Sequence, residues 1–81
     1  MKNIEDRIKK GISEINVTVE TNNIDTREGL MSSGLLDSYG FIELISFIEK
    51  EFQISIENEE MTTENFLNID CAAKFIANKI R

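Results

Sequence analysis

The chain has 81 residues, which is enough for one small domain, and residues 1–81 are interpreted as a single domain with a thin core. Its formal net charge is −6, and the segment from Asp37 to Asp70 holds nine acids against one base, Lys50. This acidic segment argues against a nucleic-acid partner, because phosphate binding requires Lys and Arg, and it favours protein partners with basic surfaces.

Further features of the sequence bear on the cellular location of the protein. No apolar run approaches the length of a membrane span, and the first residues lack the apolar core of a secretory signal. The single cysteine, Cys71, cannot form an internal disulfide. We therefore expect a cytoplasmic protein without membrane insertion. No calcium-loop pattern is present, so no metal site is predicted, and we expect a monomer because no large apolar stripe is left over.

The first predicted helix covers residues 3–15. Isoleucines recur there at helical spacing while polar residues fill the other faces, and the stripe consists of Ile4, Ile8, Ile12 and Ile15. Asn3 is the predicted N-cap of this helix.

Residues 16–36 lack a helical period and are predicted to form a long loop. Such a loop is usually functional or packed down by its own apolar residues, and the candidate anchors here are Ile24, Leu30, Leu35 and Leu36. The alternative is a short strand at residues 17–19 paired with residues 53–57, although an isolated two-stranded ribbon is only marginally stable.

The second predicted helix covers residues 38–52. Its apolar stripe consists of Phe41, Leu44, Ile45, Ile48 and Phe52. Asp37 precedes the helix directly and is its predicted N-cap. Phe47 lies off this stripe, and we expect it to contact the short third helix or the long loop.

The last third of the chain contains two further helical segments. Residues 62–67 are predicted to form one short turn capped by Thr62 or Thr63. The last helix covers residues 70–80, with Asp70 as its cap. Its inward residues are Ala72, Ala73, Phe75, Ile76 and Ile80. These patterns together predict an all-α fold.

Ser38 begins the second helix, and its chemistry is limited by what the chain lacks. A catalytic serine needs a base, usually histidine, and the chain contains no histidine and no G-x-S-x-G motif, so we expect no enzyme activity. Two roles remain: a helix-start residue, or an acceptor for a phosphate ester near the positive end of the helix dipole. Gly40 in the first turn favours the second role, since a small residue there suggests a close approach to Ser38.

The segment GLLDSYGFIELISFIEKEFQISIENEE resembles acyl carrier proteins, and the similarity extends over essentially the whole chain. The resemblance implies a four-helix bundle with a long first loop and a short third helix. It also implies that Ser38, beside Asp37, carries a 4′-phosphopantetheine arm that a phosphopantetheinyl transferase takes from coenzyme A. The thiol of the arm would hold acyl groups as thioesters, partly sheltered in a narrow apolar cleft, for an acyl or aminoacyl ligase and downstream acyl-transfer enzymes.

The chain also departs from the usual pattern of that family. Tyr39 follows the serine where Leu or Met is common, Gly40 replaces an acidic or polar residue, and Glu57 stands where proline is frequent. The approach LLDS is similar to that of D-alanyl carrier proteins. The cargo therefore stays open between a fatty-type acyl group and an aminoacyl group, with a Phe-rich core favouring short or polar cargo. The alternative of another class is an unmodified helical interaction module.

The resemblance places the partner-binding surface on the second helix. A helical wheel turns Tyr39 and Ile42 away from the apolar stripe. The family's docking acids correspond by position to Glu43, Glu49 and Glu60. Lys50 stands where another acid is usual and is expected to weaken or redirect docking to basic patches. The alternative for Ile42 is a packing position beneath residues 58–66.

Overall fold

Four helices and two 3₁₀ turns make up the computed structural model, which describes residues 2–80 and contains no strand within them. Helix α1 spans Lys2–Ile15, α2 spans Ser38–Phe52, α3 spans Thr63–Phe66 and α4 spans Ile69–Lys79; the 3₁₀ turns lie at Thr21–Asn23 and Asn58–Glu60. The prediction of an all-α bundle with a long first loop and a short third helix is therefore confirmed. Residues 17–19 do not form the alternative strand.

Helix α1 buries its isoleucine stripe against α2 and α4. Ile8 and Ile12 are fully buried, and Ile4 and Ile15 are half-buried at the two ends of the stripe. The prediction of Asn3 as the N-cap is wrong, because the helix already includes Lys2 and Asn3 lies inside its first turn. A cap needs an extended backbone outside the helix, and Asn3 does not have one.

Two contacts set how closely α1 and α2 approach each other. A Cβ atom built on Gly11 would lie 2.5 Å from two ring carbons of Phe47, so the ring packs directly on the glycine backbone. Arg7 donates from Nε to Glu51 Oε2 at 2.8 Å, and its guanidinium lies over the Phe52 ring at 4.2 Å. The prediction that Phe47 meets α3 or the long loop is corrected, because the missing side chain at Gly11 opens a groove for the ring on α1.

The long loop between α1 and α2 is packed down by its apolar side chains, as predicted. Ile24, Leu30 and Leu36 are buried, and Leu35 is half-buried. Leu30 N donates to Leu67 O at 2.9 Å, and Leu36 N donates to Leu30 O at 2.9 Å. These bonds hold the last part of the loop beside the end of α3, so the start of α2 is delivered to a defined position.

Side-chain caps determine where α3 and α4 begin. Thr62, one of the two predicted caps, accepts a hydrogen bond from Asn65 N at 3.2 Å. Helix α4 is capped by Asn68, whose Oδ1 accepts from Cys71 N at 2.8 Å, and not by Asp70 as predicted. Asn68 has the extended backbone that a cap requires, whereas Asp70 already lies in the first turn, where its charge still suits the helix dipole.

Helix α4 contributes small and branched residues to the core. Ile69, Ala72, Ala73 and Ile76 are fully buried. The prediction that Ile80 turns inward is wrong, since this side chain is 48% exposed. The helix ends at Lys79, so Ile80 no longer continues the apolar stripe.

Replacing Gly11 with alanine is expected to destabilise the fold by about 1–3 kcal/mol, because the new methyl group overlaps the Phe47 ring and forces it to move. Alanine would otherwise stabilise a helix interior by about 1 kcal/mol relative to glycine. Urea unfolding of Gly11→Ala measures the difference. Combining it with Phe47→Leu should cost less than the sum of the two single changes, and a stabilised Gly11→Ala variant would contradict the contact.

Candidate functional site

Ser38 is the first residue of α2, and Asp37 rather than Ser38 caps the helix. Asp37 has an extended backbone, with φ −92° and ψ −172°, and its Oδ1 accepts a hydrogen bond from Gly40 N at 2.7 Å. Ser38 is exposed, and within the described residues its hydroxyl forms no hydrogen bond with the protein. The predicted cap is therefore confirmed, and it leaves the serine oxygen accessible at the positive end of the helix.

The need for glycine at position 40 follows from the packing of neighbouring residues of the chain. A Cβ atom at Gly40 would lie 3.1 Å from Leu36 Cδ2 and 3.3 Å from Asp37 Oδ1. The glycine thus lets the end of the long loop and the capping carboxylate pack tightly on the first turn. Our expectation that Gly40 makes room for something approaching Ser38 is corrected, since the neighbouring atoms belong to residues 36 and 37.

Three of the predicted partner-binding residues share the exposed surface next to Ser38. Tyr39 is 80% exposed, Ile42 is 62% exposed, and Glu43 is also exposed. The structure therefore turns Ile42 to solvent and does not bury it beneath residues 58–66. Two large side chains, Tyr39 and Ile42, are therefore exposed beside an acid near Ser38.

The carboxylates of the other two predicted docking acids bind groups elsewhere in the same chain. Glu49 Oε2 accepts from Ile56 N at 2.9 Å, which ties the segment after α2 back to that helix. Glu60 Oε1 accepts from Glu57 N at 2.8 Å, and the Glu60 carboxylate lies 2.9 Å from Lys79 Nζ. Glu49 and Glu60 thus differ from Glu43, because their carboxylates already have partners within the chain.

The bond from Glu57 N to Glu60 belongs to a capping box, so the three-residue spacing of these two acids was a local signal for it. The contacts of Glu49 with Ile56 and of Glu60 with Lys79 join positions that no periodic pattern relates. The hydrogen bond from Glu57 N, together with the Lys79 ammonium, lowers the pKa of Glu60. A lowered pKa is what an ionised carboxylate with bound donors should have.

A cavity of about 330 Å³ opens at the surface beside the start of α2. Its lining residues are mainly apolar and come from the long loop, α2 and the α3 region: Met31, Ser32, Phe41, Met61, Thr62, Thr63, Phe66 and Leu67. Phe41 follows Ser38 by three residues, so the two lie on neighbouring sides of α2, about 4.5 Å apart along the helix axis. The narrow apolar cleft expected in the four-helix core could not be assigned to particular residues from the sequence, because Met31 and Leu67 line one cavity only in the folded chain.

Two other features are absent from residues 2–80. No cluster of three or more His, Cys, Asp and Glu side chains there has the arrangement of a metal site. None of the helices in this part of the chain combines the length and the apolar character that crossing a bilayer would require.

Two curated proteins are similar to the chain over nearly its full length. An acyl carrier protein of Buchnera aphidicola subsp. Acyrthosiphon pisum (strain 5A) is 37% identical over 79 residues, covering 98% of this chain and 95% of the relative. An acyl carrier protein of Buchnera aphidicola subsp. Schizaphis graminum (strain Sg) is 38% identical over 82 residues, covering 98% and 96% of the two chains. No protein-family model matches the chain.

Replacing Glu60 with glutamine is expected to destabilise the protein at neutral pH and to have little effect in acid. Glutamine keeps an acceptor for Glu57 N but loses the ion pair with Lys79. Because the folded pKa of Glu60 lies below the usual 4.5, its stabilising effect is present above that value and is lost as the pH falls through the lowered pKa.

Urea unfolding at a series of pH values checks this expectation. The free-energy difference between wild type and Glu60→Gln should shrink as the pH drops below the usual value. Glu64→Gln, which removes a charge from the exposed side of α3, is the matched control for a general charge effect. A Glu60→Gln difference that stays constant from neutral pH into acid would contradict the internal role of this carboxylate.

Proposed function

The chain belongs to the acyl carrier protein family, and we propose that it carries acyl groups as thioesters on a 4′-phosphopantetheine arm attached to Ser38. The observation that carries the proposal is that Asp37, and not Ser38, caps α2. Asp37 caps the helix through Gly40 N, and the adjacent Ser38 hydroxyl is exposed and makes no hydrogen bond with described residues. A serine that serves as the cap would have its oxygen occupied by the backbone.

The surroundings of Ser38 suit a phosphate ester. The residue is the first of a 15-residue helix, whose N-terminal N–H groups and dipole favour a negative charge at this end. Attachment forms a bond between Ser38 Oγ and the phosphorus of the phosphopantetheine, and the adenosine bisphosphate part of coenzyme A leaves. When bound, the arm supplies a thiol that forms thioesters with acyl groups.

The residues around Ser38 supply position rather than catalysis. The chain has no histidine, and no basic side chain is hydrogen-bonded to the Ser38 hydroxyl in the described part of the molecule. The serine proton must therefore be removed by a group of the phosphopantetheinyl transferase. This arrangement fits a carrier that is the substrate of other enzymes and has no catalytic activity of its own.

The exposed start of α2 is the proposed docking surface for those enzymes. Tyr39 and Ile42 offer apolar contact area, and Glu43 offers a negative charge beside it. Such a surface fits the transferase, an acyl or aminoacyl ligase and acyl-transfer enzymes that present basic patches. Lys50, two turns further along α2, is exposed and adds a positive charge that such partners must accommodate.

Incubation with coenzyme A, Mg²⁺ and a broad-specificity phosphopantetheinyl transferase is expected to add one phosphopantetheinyl group to the protein. Intact mass spectrometry measures the gain, and Ser38→Ala should abolish it without unfolding the protein. Ser46→Ala is the matched control, because Ser46 is an exposed serine on the same helix. It should be modified as wild type is.

Two results would overturn the assignment. If well-folded wild type gains no mass with several transferases, the chain is better described as an unmodified helical interaction module. If Ser38→Ala still gains the group, the attachment lies at another residue. Circular dichroism of each variant ensures that a missing modification is not caused by loss of the helices.

Replacing Glu43 with glutamine is expected to lower kcat/KM for this transfer by about two- to fivefold at low salt, the range of one exposed ion pair. The loss should fade as salt screens the charge. Glu14→Gln, which removes an exposed acid from α1, controls for the change in net charge and should have a smaller effect. Equal losses in both variants would contradict a specific role for Glu43.

A further inference from the structure

The cavity beside Ser38 has an aromatic floor. Phe41 of α2 and Phe66 of α3 both line it, and their rings meet edge to face with centroids 5.8 Å apart. Phe66 also packs against Phe75 of α4 at 5.2 Å. These three rings bridge α2, α3 and α4, and two of them, Phe41 and Phe66, form part of the cavity wall.

The interior behind this floor is filled. Phe66 is only 4% exposed and belongs to the same cluster as the fully buried residues Leu44, Ile48, Ala73 and Ile76. Protein interiors are packed as densely as organic crystals, so a chain that entered from the cavity would have to displace a ring. An acyl group can therefore occupy the cavity but cannot extend into the core without rearranging it.

We propose that Phe41 and Phe66 restrict the sheltered cargo of this carrier to short, uncharged acyl groups. The proposal rests on the attachment of the arm to Ser38, and it adds the class of cargo that the protein can protect. The cavity volume of about 330 Å³ lies at the small end of ligand pockets. Longer chains would leave their distal carbons in water.

The lining also discriminates by charge. None of the eight lining residues is charged, and the polar groups of the side chains are the hydroxyls of Ser32, Thr62 and Thr63. An aminoacyl group would bring an ammonium ion that finds no carboxylate in this lining. Because burying an unpaired charge is costly, an aminoacyl cargo is expected to remain outside the cavity.

The test loads the protein from acetyl-, butanoyl-, octanoyl-, dodecanoyl- and alanyl-coenzyme A with the transferase, and mass spectrometry verifies each product. The readout is the melting temperature of each loaded form minus that of the form carrying the free arm. Butanoyl is expected to raise it by about 4–8 °C, and dodecanoyl should add nothing beyond the octanoyl value. Alanyl should leave it unchanged.

Variants of the floor test the named residues. Phe41→Ala should shift the largest gain in melting temperature to the longer acyl chains. Phe41→Leu should produce a smaller shift in the same direction, and it replaces the alanine variant if that variant does not melt cooperatively. Phe47→Leu is the matched control, because Phe47 is also a half-buried phenylalanine of α2 but packs on Gly11 of α1. It should keep the wild-type dependence on chain length.

Several results would overturn the proposal. Wild-type melting temperatures that keep rising up to dodecanoyl would mean that the interior opens to long chains. An alanyl gain equal to the butanoyl gain would refute the restriction on charge. A length dependence unchanged in both Phe41 variants would refute the role of the floor.

A second experiment tests the cavity independently of the attachment of the arm to Ser38. The same acyl groups, offered as free N-acetylcysteamine thioesters to the unmodified chain, probe the cavity without using Ser38. Butanoyl is expected to shift the methyl resonances of Met31 and Met61, whereas alanyl is not. Absence of a butanoyl shift refutes the cavity as a cargo site, while absence of mass gain with the transferase refutes the proposed function.

Discussion

The hydrogen bond from Gly40 N to the Asp37 carboxylate determines how the start of α2 is presented. It satisfies a backbone donor that a helix cannot satisfy internally, and such a cap is typically worth about 1 kcal/mol. Because Asp37 takes this role, Ser38 enters the helix with its hydroxyl directed to solvent. Leu36 packs against Gly40 from the other side, so the end of the long loop and the first turn of α2 hold each other in place.

The acids of the middle segment have different uses, although they look alike in the sequence. Glu49 and Glu60 accept hydrogen bonds from backbone N–H groups of the segment after α2, and Glu51 pairs with Arg7 of α1. These carboxylates hold short, irregular segments that lack regular backbone pairing of their own. Glu43 makes no such contact within the described residues and lies beside the exposed Ile42. Acids that look alike in the sequence therefore differ in whether their carboxylates already have partners within the chain.

The same connection between α2 and the α3 region shapes the cavity. Phe41 lies one turn after Ser38, and Phe66 is supplied by a helix of only four residues, α3, whose start depends on the Thr62 cap. The Glu60 carboxylate ties the preceding turn to Lys79 at the end of α4. A small bundle has few residues to spare, so the groups that stabilise the α3 region also define the wall beside the attachment serine.

Much of the fold follows from local signals. The 3.6-residue period of α2 predicted its bounds at residues 38–52, and Asp37 was identified as its cap because an acid directly before an apolar stripe is a short-range pattern. The same logic gave the wrong cap for α4, where Asn68 and Asp70 both qualify by sequence and only the extended backbone of Asn68 decides between them. Local patterns identify a helix well and its terminal residue less well.

Local sequence signals account for the helices, the cap on α2 and the exposed serine, because each depends on residues within one or two turns of one another. Three other features could be seen only in the folded molecule: the packing of Phe47 on Gly11, the hydrogen bonds that occupy Glu49 and Glu60, and the contact of Phe41 with Phe66 at the cavity. Those outcomes join residues that lie far apart in the chain or in irregular turns. No periodic pattern encodes them, since they depend on how the helices pack against one another.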